Sequence, residues 1–118
     1  MAEEGLVTEC QTVELWSDIF TKASESKKLT VVDFTATWCP PCRFIAPILA
    51  DLAKKMTHVI FLKVDVDNLT SVSEKYDVEA MPTFLFFKEG KIVDRVVGAK
   101  KDELVAKIEQ HATQVASA

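Results

Sequence analysis

"LTVVDFTATWCPPCRFIAPILADLAKKM", residues Leu29 to Met56, changes its periodicity half-way. Leu29 to Ala36 is rich in β-branched and aromatic side chains and almost continuously apolar, which is the composition of a central strand covered on both faces. Further on, Phe44, Ile45, Ile48, Leu49, Leu52 and Met56 recur at helical spacing and predict a helix of roughly 15 residues. A second apolar run, "VIFLKVDV" from Val59 to Val66, follows at once. Strand, helix and strand in so short a stretch make a βαβ crossover, so the two strands should run parallel.

Upstream, Val13, Trp16, Ile19, Phe20 and Ala23 mark an amphipathic helix with Thr12 as its N-cap, preceded by a short strand near Leu6 to Cys10. Trp16 reads as core. Downstream, Asp67 or Asn68 can cap a short helix carrying Leu69, Val72 and Tyr76. "TFLFF", Thr83 to Phe87, and "KIVDRVV", Lys91 to Val97, flank Glu89-Gly90, the spacing of a β-hairpin with glycine where φ must be positive. Leu104, Val105, Ile108, Ala112 and Val115 make a closing helix. The order β-α-β-α-β-α-β-β-α is an α/β fold: a mixed sheet, part parallel and part hairpin, with helices on both faces.

With 118 residues, 48% hydrophobic and 27% charged, the chain suits one domain over 1–118, with short flexible tails at 1–5 and 115–118. Eighteen acidic against 14 basic residues give a formal charge of -4, so neither nucleic acid nor an anionic membrane is an expected partner. The acidic start Met1-Ala2-Glu3-Glu4 is not a secretory signal, Ala2 breaks the myristoylation pattern, and no apolar run approaches the roughly 18 residues of a membrane span. "KDEL" at Lys101 to Leu104 is internal and carries no retention meaning. A cytoplasmic location is the expectation.

Three cysteines are too few, and odd in number, for a secreted disulfide scaffold, and two of them, Cys39 and Cys42, sit at the strand-to-helix turn. A helix N-terminus offers unpaired N–H groups and a positive dipole end, which favour thiolate and lower cysteine pKa values to roughly 3.5 to 7.5. Cys39 should be the more activated sulfur. Positions three apart on a helix lie about 5 to 6 Å apart at Cβ, close enough for a disulfide after small adjustment. Pro41 suits the first helical turn, where its missing N–H has no partner to lose. The residue before a proline is pushed out of the α region, which applies to Cys39 and again to Pro40, so the helix should start at Pro41. A structural zinc site needs about four N or S ligands, and Cys10, His58 and His111 supply no fitting spacing, so no metal is expected. Gly5, Gly90 and Gly98 are the only glycines. With no glycine-rich phosphate loop, no nucleotide cofactor is expected to bind.

"WCPPC" after "VVDFTAT", "MPTF" before the third buried strand, and "VVGAKKDEL" near the end together resemble the thioredoxins, most narrowly the cytosolic h-type thioredoxins of plants, from about Leu6 to His111. The resemblance implies the thioredoxin fold, a central mixed five-stranded sheet flanked by four helices, and a protein-disulfide reductase. Cys39 would be the attacking nucleophile and Cys42 the resolving thiol. Electrons would come from NADPH through a separate thioredoxin reductase, with disulfide-containing client proteins as the other partners. Pro40 departs from the family's commonest motif, which has glycine there, and bears on potential and partner preference rather than on reaction type. A disulfide isomerase or oxidase, and a thioredoxin-like binding module, remain as alternatives.

Asp33 lies mid-strand, where an ionised carboxylate is costly to bury and its pKa should rise. The resemblance makes it the proton acceptor for Cys42, with Lys63 as its partner; read alone, Lys63 is equally an ordinary snorkelling lysine. Pro82 precedes a strand, a place where sheets tolerate proline. By resemblance the Met81-Pro82 bond is cis and lies against the cysteines, and Trp38, Pro40, Pro41, Ala80, Met81, Pro82, Val97 and Gly98 form the substrate-docking surface. Trp38 beside an exposed nucleophile suits such a surface. His58 and His111 read as surface residues, and Arg43 and Lys88 as solvated charges. Cys10 reads as a small buried hydrophobe or, in the sharper version, as a regulatory thiol. A monomer is expected, with a Cys10-linked dimer under oxidation as the corollary of that sharper version.

Overall fold

The computed structural model describes residues 5–116, with side chains as far as 112. Its strands are β1 (Val7–Glu9), β2 (Thr30–Thr35), β3 (Ile60–Asp65), β4 (Thr83–Lys88) and β5 (Lys91–Val97); its helices are α1 (Val13–Glu25), α2 (Pro40–Lys55), α3 (Thr70–Lys75) and α4 (Lys101–Ala116). The order across the sheet is β1-β3-β2-β4-β5. β3 runs parallel to both β1 and β2, and β4 runs antiparallel to β2 and β5.

Alternation along each strand assigns its side chains to two cores. Val31, Phe61, Phe84, Phe86 and Val96 meet Ile45 and Leu49 of α2 and Leu104 and Ile108 of α4. Val32, Phe34, Leu62, Leu85 and Phe87 meet Trp16 and Ile19 of α1 and Val72 of α3 on the opposite face. β2 is therefore covered on both sides, as its unbroken apolar run implies, and Val31, Val32 and Phe34 have no exposed surface. The Cys39–Cys42 turn follows the C-terminal end of this buried strand.

The elements obey local rules with a few departures. Thr12 caps α1 by accepting the Leu15 N–H at 3.0 Å. The hairpin turn places both Glu89 (φ 51°) and Gly90 (φ 81°) in the left-handed region, as a two-residue turn of that hand requires. α2 begins at Pro40 rather than Pro41. Proline's fixed φ is already helical, and only Cys39 takes the extended conformation that a following proline enforces. Neither Asp67 nor Asn68 caps α3; Leu69 holds the cap position and makes no side-chain cap bond. Asp67 is engaged elsewhere, donating its N–H to Asp65 Oδ1 at 2.8 Å and accepting from Trp38 with its carboxylate. Val13 and Phe44, placed by periodicity on buried stripes, are exposed. About 100° per residue rotates Phe44 away from the stripe of Cys42, Ile45, Leu49 and Ala53 that meets the sheet. α4 carries on through 115 and 116; the rest of the expected C-terminal tail, and residues 1–4 of the N-terminal one, lie outside the described residues.

Candidate active site

Cys39 is the N-cap of α2, with φ −99° and ψ 107°. Pro40 and Pro41 occupy the next two positions and have no N–H to offer. The first donor in the helix is the Cys42 N–H, which points at Cys39 Sγ from 3.2 Å. The prolines thus give the Cys39 sulfur one well-placed local donor. Cys39 and Cys42 form a disulfide with their Cα atoms 5.3 Å apart. A cap residue and the third residue of a helix already stand near disulfide distance, so bond formation leaves the turn in place.

The sulfurs rest in a small apolar nest of Ala36, Val66 and Met81. Cys39 is only 2% exposed, which corrects the expected exposed nucleophile. The surface around it is carried by its neighbours: Trp38 is 60% exposed, and Pro40 and Pro41 are also exposed. Trp38 Nε1–H donates to Asp67 Oδ2 at 2.9 Å, which fixes the indole beside the pair. Sequence reading missed Asp67, because a contact spanning 29 positions leaves no local pattern.

The Met81-Pro82 peptide is cis, and Cys39 Sγ lies 3.5 Å from the Met81 carbonyl oxygen. Thr83 Oγ1 donates to the Ala80 carbonyl at 2.6 Å, and the Gly98 N–H donates to the Pro82 carbonyl at 2.8 Å. Gly98 has φ +101°, a conformation that side chains disfavour. Thr83 is the register partner of Val97. Cys39, Met81 and Pro82 are thereby joined to Val97 and Gly98 by contact, hydrogen bond or sheet register, with Ala80 exposed at the margin and Val97 itself 44% exposed.

Two ionisable side chains of neighbouring strands lie on the sheet face that α2 covers. Asp33 and Lys63 are register partners across β2 and β3, so both point to the α2 face. Asp33 is 3% exposed and its Oδ1 has no hydrogen-bond partner. Burial pushes its carboxyl up to about 7, and Lys63 opposes that rise only in part. Lys63 lines an open cleft together with Cys42, Arg43, Asp65 and Glu9. Arg43 is exposed, as expected, and its guanidinium donates to the Thr37 carbonyl at 3.1 Å.

Two residues lie far from the sulfurs. Cys10 is 1% exposed, and burial raises its thiol to about 11, which favours the packing role over the regulatory one. His111, expected at the surface, is 7% exposed; its Nε2 pairs with Asp94 Oδ2 at 2.9 Å, and that carboxylate lets a histidine be buried. His58 is exposed as read, and Lys88 is half-buried at the end of β4. Among the described residues, no cluster of histidine, cysteine and carboxylate side chains could hold a metal ion. No described helix is long and apolar enough to cross a membrane.

The family comparison agrees with this geometry: the thioredoxin family matches residues 10–110. The chain belongs to the thioredoxin family. It is 61% identical to thioredoxin H3 of Arabidopsis thaliana over the full length of both chains. It is 68% identical over 111 residues to the H-type 1 thioredoxin of Nicotiana tabacum, covering 94% of this chain and 88% of that one. The crystal structure of the Nicotiana alata thioredoxin NaTrxh superposes with a TM-score of 0.89 at 46% identity, covering 95% and 97% of the two chains. Like other thioredoxins, this protein is a protein-disulfide oxidoreductase that works through a reversible dithiol–disulfide pair, Cys39 and Cys42. Its five-stranded mixed sheet and four helices are the thioredoxin fold.

Proposed function

We propose that the protein acts in the reducing direction, with Cys39 as the attacking sulfur and Cys42 as the resolving one. The observation that carries the assignment is the Cys42 N–H directed at Cys39 Sγ from the first turn of α2, because it stabilises negative charge on Cys39 specifically. The Cys39 thiolate attacks one sulfur of a client disulfide; that S–S bond breaks, and the departing client thiolate takes a proton from solvent. Cys42 then passes its proton to the Asp33 carboxylate, partnered by Lys63, and its sulfur attacks Cys39. The mixed disulfide breaks, the second client sulfur leaves and is protonated, and two electrons have moved from the pair to the client.

Trp38, Pro40, Pro41 and Ala80 with Met81, Pro82, Val97 and Gly98 form the docking surface in this reading. An extended client segment would pair with the Met81 backbone by strand addition. The protein serves as one domain in the cytoplasm, and a separate thioredoxin reductase returns electrons to it from NADPH. Support for these assignments comes from the nearness of Met81 to Cys39 and from the h-type relatives.

The test is NADPH-driven reduction of a disulfide-bonded protein in the presence of thioredoxin reductase, comparing the parent with Cys39→Ser and Cys42→Ser. Both variants should lose turnover, and only Cys42→Ser should accumulate a mixed disulfide with the client. Accumulation in Cys39→Ser instead would reverse the order of the sulfurs. A parent that works with a chemical dithiol but not with the reductase would overturn the assigned electron donor.

A further inference from the structure

Lys63 is the centre of a row of three charges. β3 lies between β1 and β2, and Lys63 is the register partner of Asp33 on one side and of Glu9 on the other. All three strands are parallel, so the three side chains leave the same face, toward α2. The Cys10 N–H donates to the Lys63 carbonyl at 2.9 Å, which holds the end of β1 against β3 and keeps Glu9 beside the lysine. Glu9 and Lys63 also line the cleft that contains Cys42.

We propose that Glu9 is a positioning residue for the resolving step: it shares the Lys63 ammonium with Asp33 and so helps keep Asp33 basic enough to take the Cys42 proton. The inference rests on the role given to Asp33 above. Asp33 is buried with one oxygen unpartnered, so Lys63 is its principal source of compensating charge. Were Lys63 committed to Asp33 alone, the carboxyl would fall toward the ordinary range and lose basicity. A second carboxylate across the lysine draws the ammonium toward the cleft. The other charges around Lys63 leave this competition in place. Asp65 lies two residues on along β3; its Oδ1 accepts the Asp67 N–H, and its charge stays the same when Glu9 is altered, so it does not contribute to the difference. Arg43, on α2, is occupied with the Thr37 carbonyl. Glu9 is exposed at a three-residue strand, so its influence is moderate and sensitive to salt.

Removing the Glu9 charge should lower the Asp33 titration for two reasons of the same sign: a negative neighbour is lost, and Lys63 is freed to lean on Asp33. At a separation of two strand spacings, roughly 10 Å, the expected fall is about 0.3 to 0.5 pH unit at low ionic strength. The experiment follows the Asp33 carboxyl by carbon NMR in the reduced protein, parent against Glu9→Gln, with Asp33→Asn to identify the signal and Glu14→Gln as a remote control. The acid limb of the mixed-disulfide resolution rate is measured in parallel. A fall confined to Glu9→Gln, shrinking at high salt and matched by the acid limb, is the expected result. An unchanged Asp33 midpoint, or an equal fall in Glu14→Gln, overturns the proposal. If the midpoint falls but the acid limb stays put, the electrostatic coupling stands and the proton-acceptor role of Asp33 fails instead.

Discussion

Asp33 contributes to stability in a direction opposite to most carboxylates. Its folded pKa of about 7 lies above its ordinary value of 3.8, so the folded state holds its proton longer than the unfolded chain does. Stability is then lost as pH rises from about 4 to about 7, and the loss is complete above that window. A rise of roughly three pH units at about 1.36 kcal/mol each puts its upper bound near 4 kcal/mol. Asp33→Asn should therefore stabilise the oxidised protein by about 2 to 4 kcal/mol at pH 8.5 and by well under 1 kcal/mol at pH 4, read from urea unfolding. The same variant should resolve mixed disulfides more slowly. Equal stabilisation at both pH values would mean that the carboxyl is not the source. Cys10 carries a simpler prediction: in the native oxidised protein its thiol should resist a water-soluble disulfide reagent, and react on unfolding, because it is buried. The oddity of Asp33 was legible in the sequence, since an aspartate inside "VVDFT" has no cheap explanation. The Trp38–Asp67 bond and the Glu9–Lys63 pairing were not, because they depend on which strands become neighbours.

At the scale of elements, the turns and caps carry the predictions. Gly90 sits at φ +81°, and a Cβ added there would come 3.4 Å from Ser24 Oγ. Gly90→Ala should destabilise by about 1 to 2 kcal/mol, mostly through the left-handed backbone, with activity unchanged. Thr12→Ala removes the cap bond of α1 and should cost about 1 kcal/mol by the same measurement. Pro40→Gly acts on both folded and unfolded chains: it loosens the link between the cysteines and should lower stability by up to about 1 kcal/mol. Periodicity fixed these elements well where one face decided everything, as in α1 and the hairpin. It failed at Phe44 because the buried stripe of α2 runs through Cys42, Ile45, Leu49 and Ala53, and the step of about 100° per residue turns Phe44 off it. It failed again at the start of α3, where the expected capping aspartate was already bound to a tryptophan from another part of the chain.

Taken whole, the molecule has a second charge cluster that opposes the first. Burial alone would raise Asp94, but hydrogen bonds from Lys107, His111 and the Arg95 N–H outweigh it and hold the carboxyl at about 2. That group's stability is present above its ordinary value of 3.8 and is lost as pH falls from about 4 through about 2. With Asp33 eroding stability above about pH 4, the two groups set a maximum of unfolding free energy on the acid side of neutrality. Urea midpoints from pH 2 to 9 should show it. Asp33→Asn should broaden the plateau toward neutral pH, and Asp94→Asn should make the acid fall shallower while lowering stability at pH 5 by about 1 kcal/mol. The sheet also has two free margins, each blunted differently. β1 offers three residues to an incoming chain. β5 breaks register where Phe86 pairs with Asp94 and Phe87 with Ile92, leaving Val93 as an extra residue, and it carries Lys91, Asp94 and Arg95. Short length on one side, and a bulge with charges on the other, are the devices by which open sheets resist stacking into fibrils. A redox carrier whose working surface stays exposed gains from both.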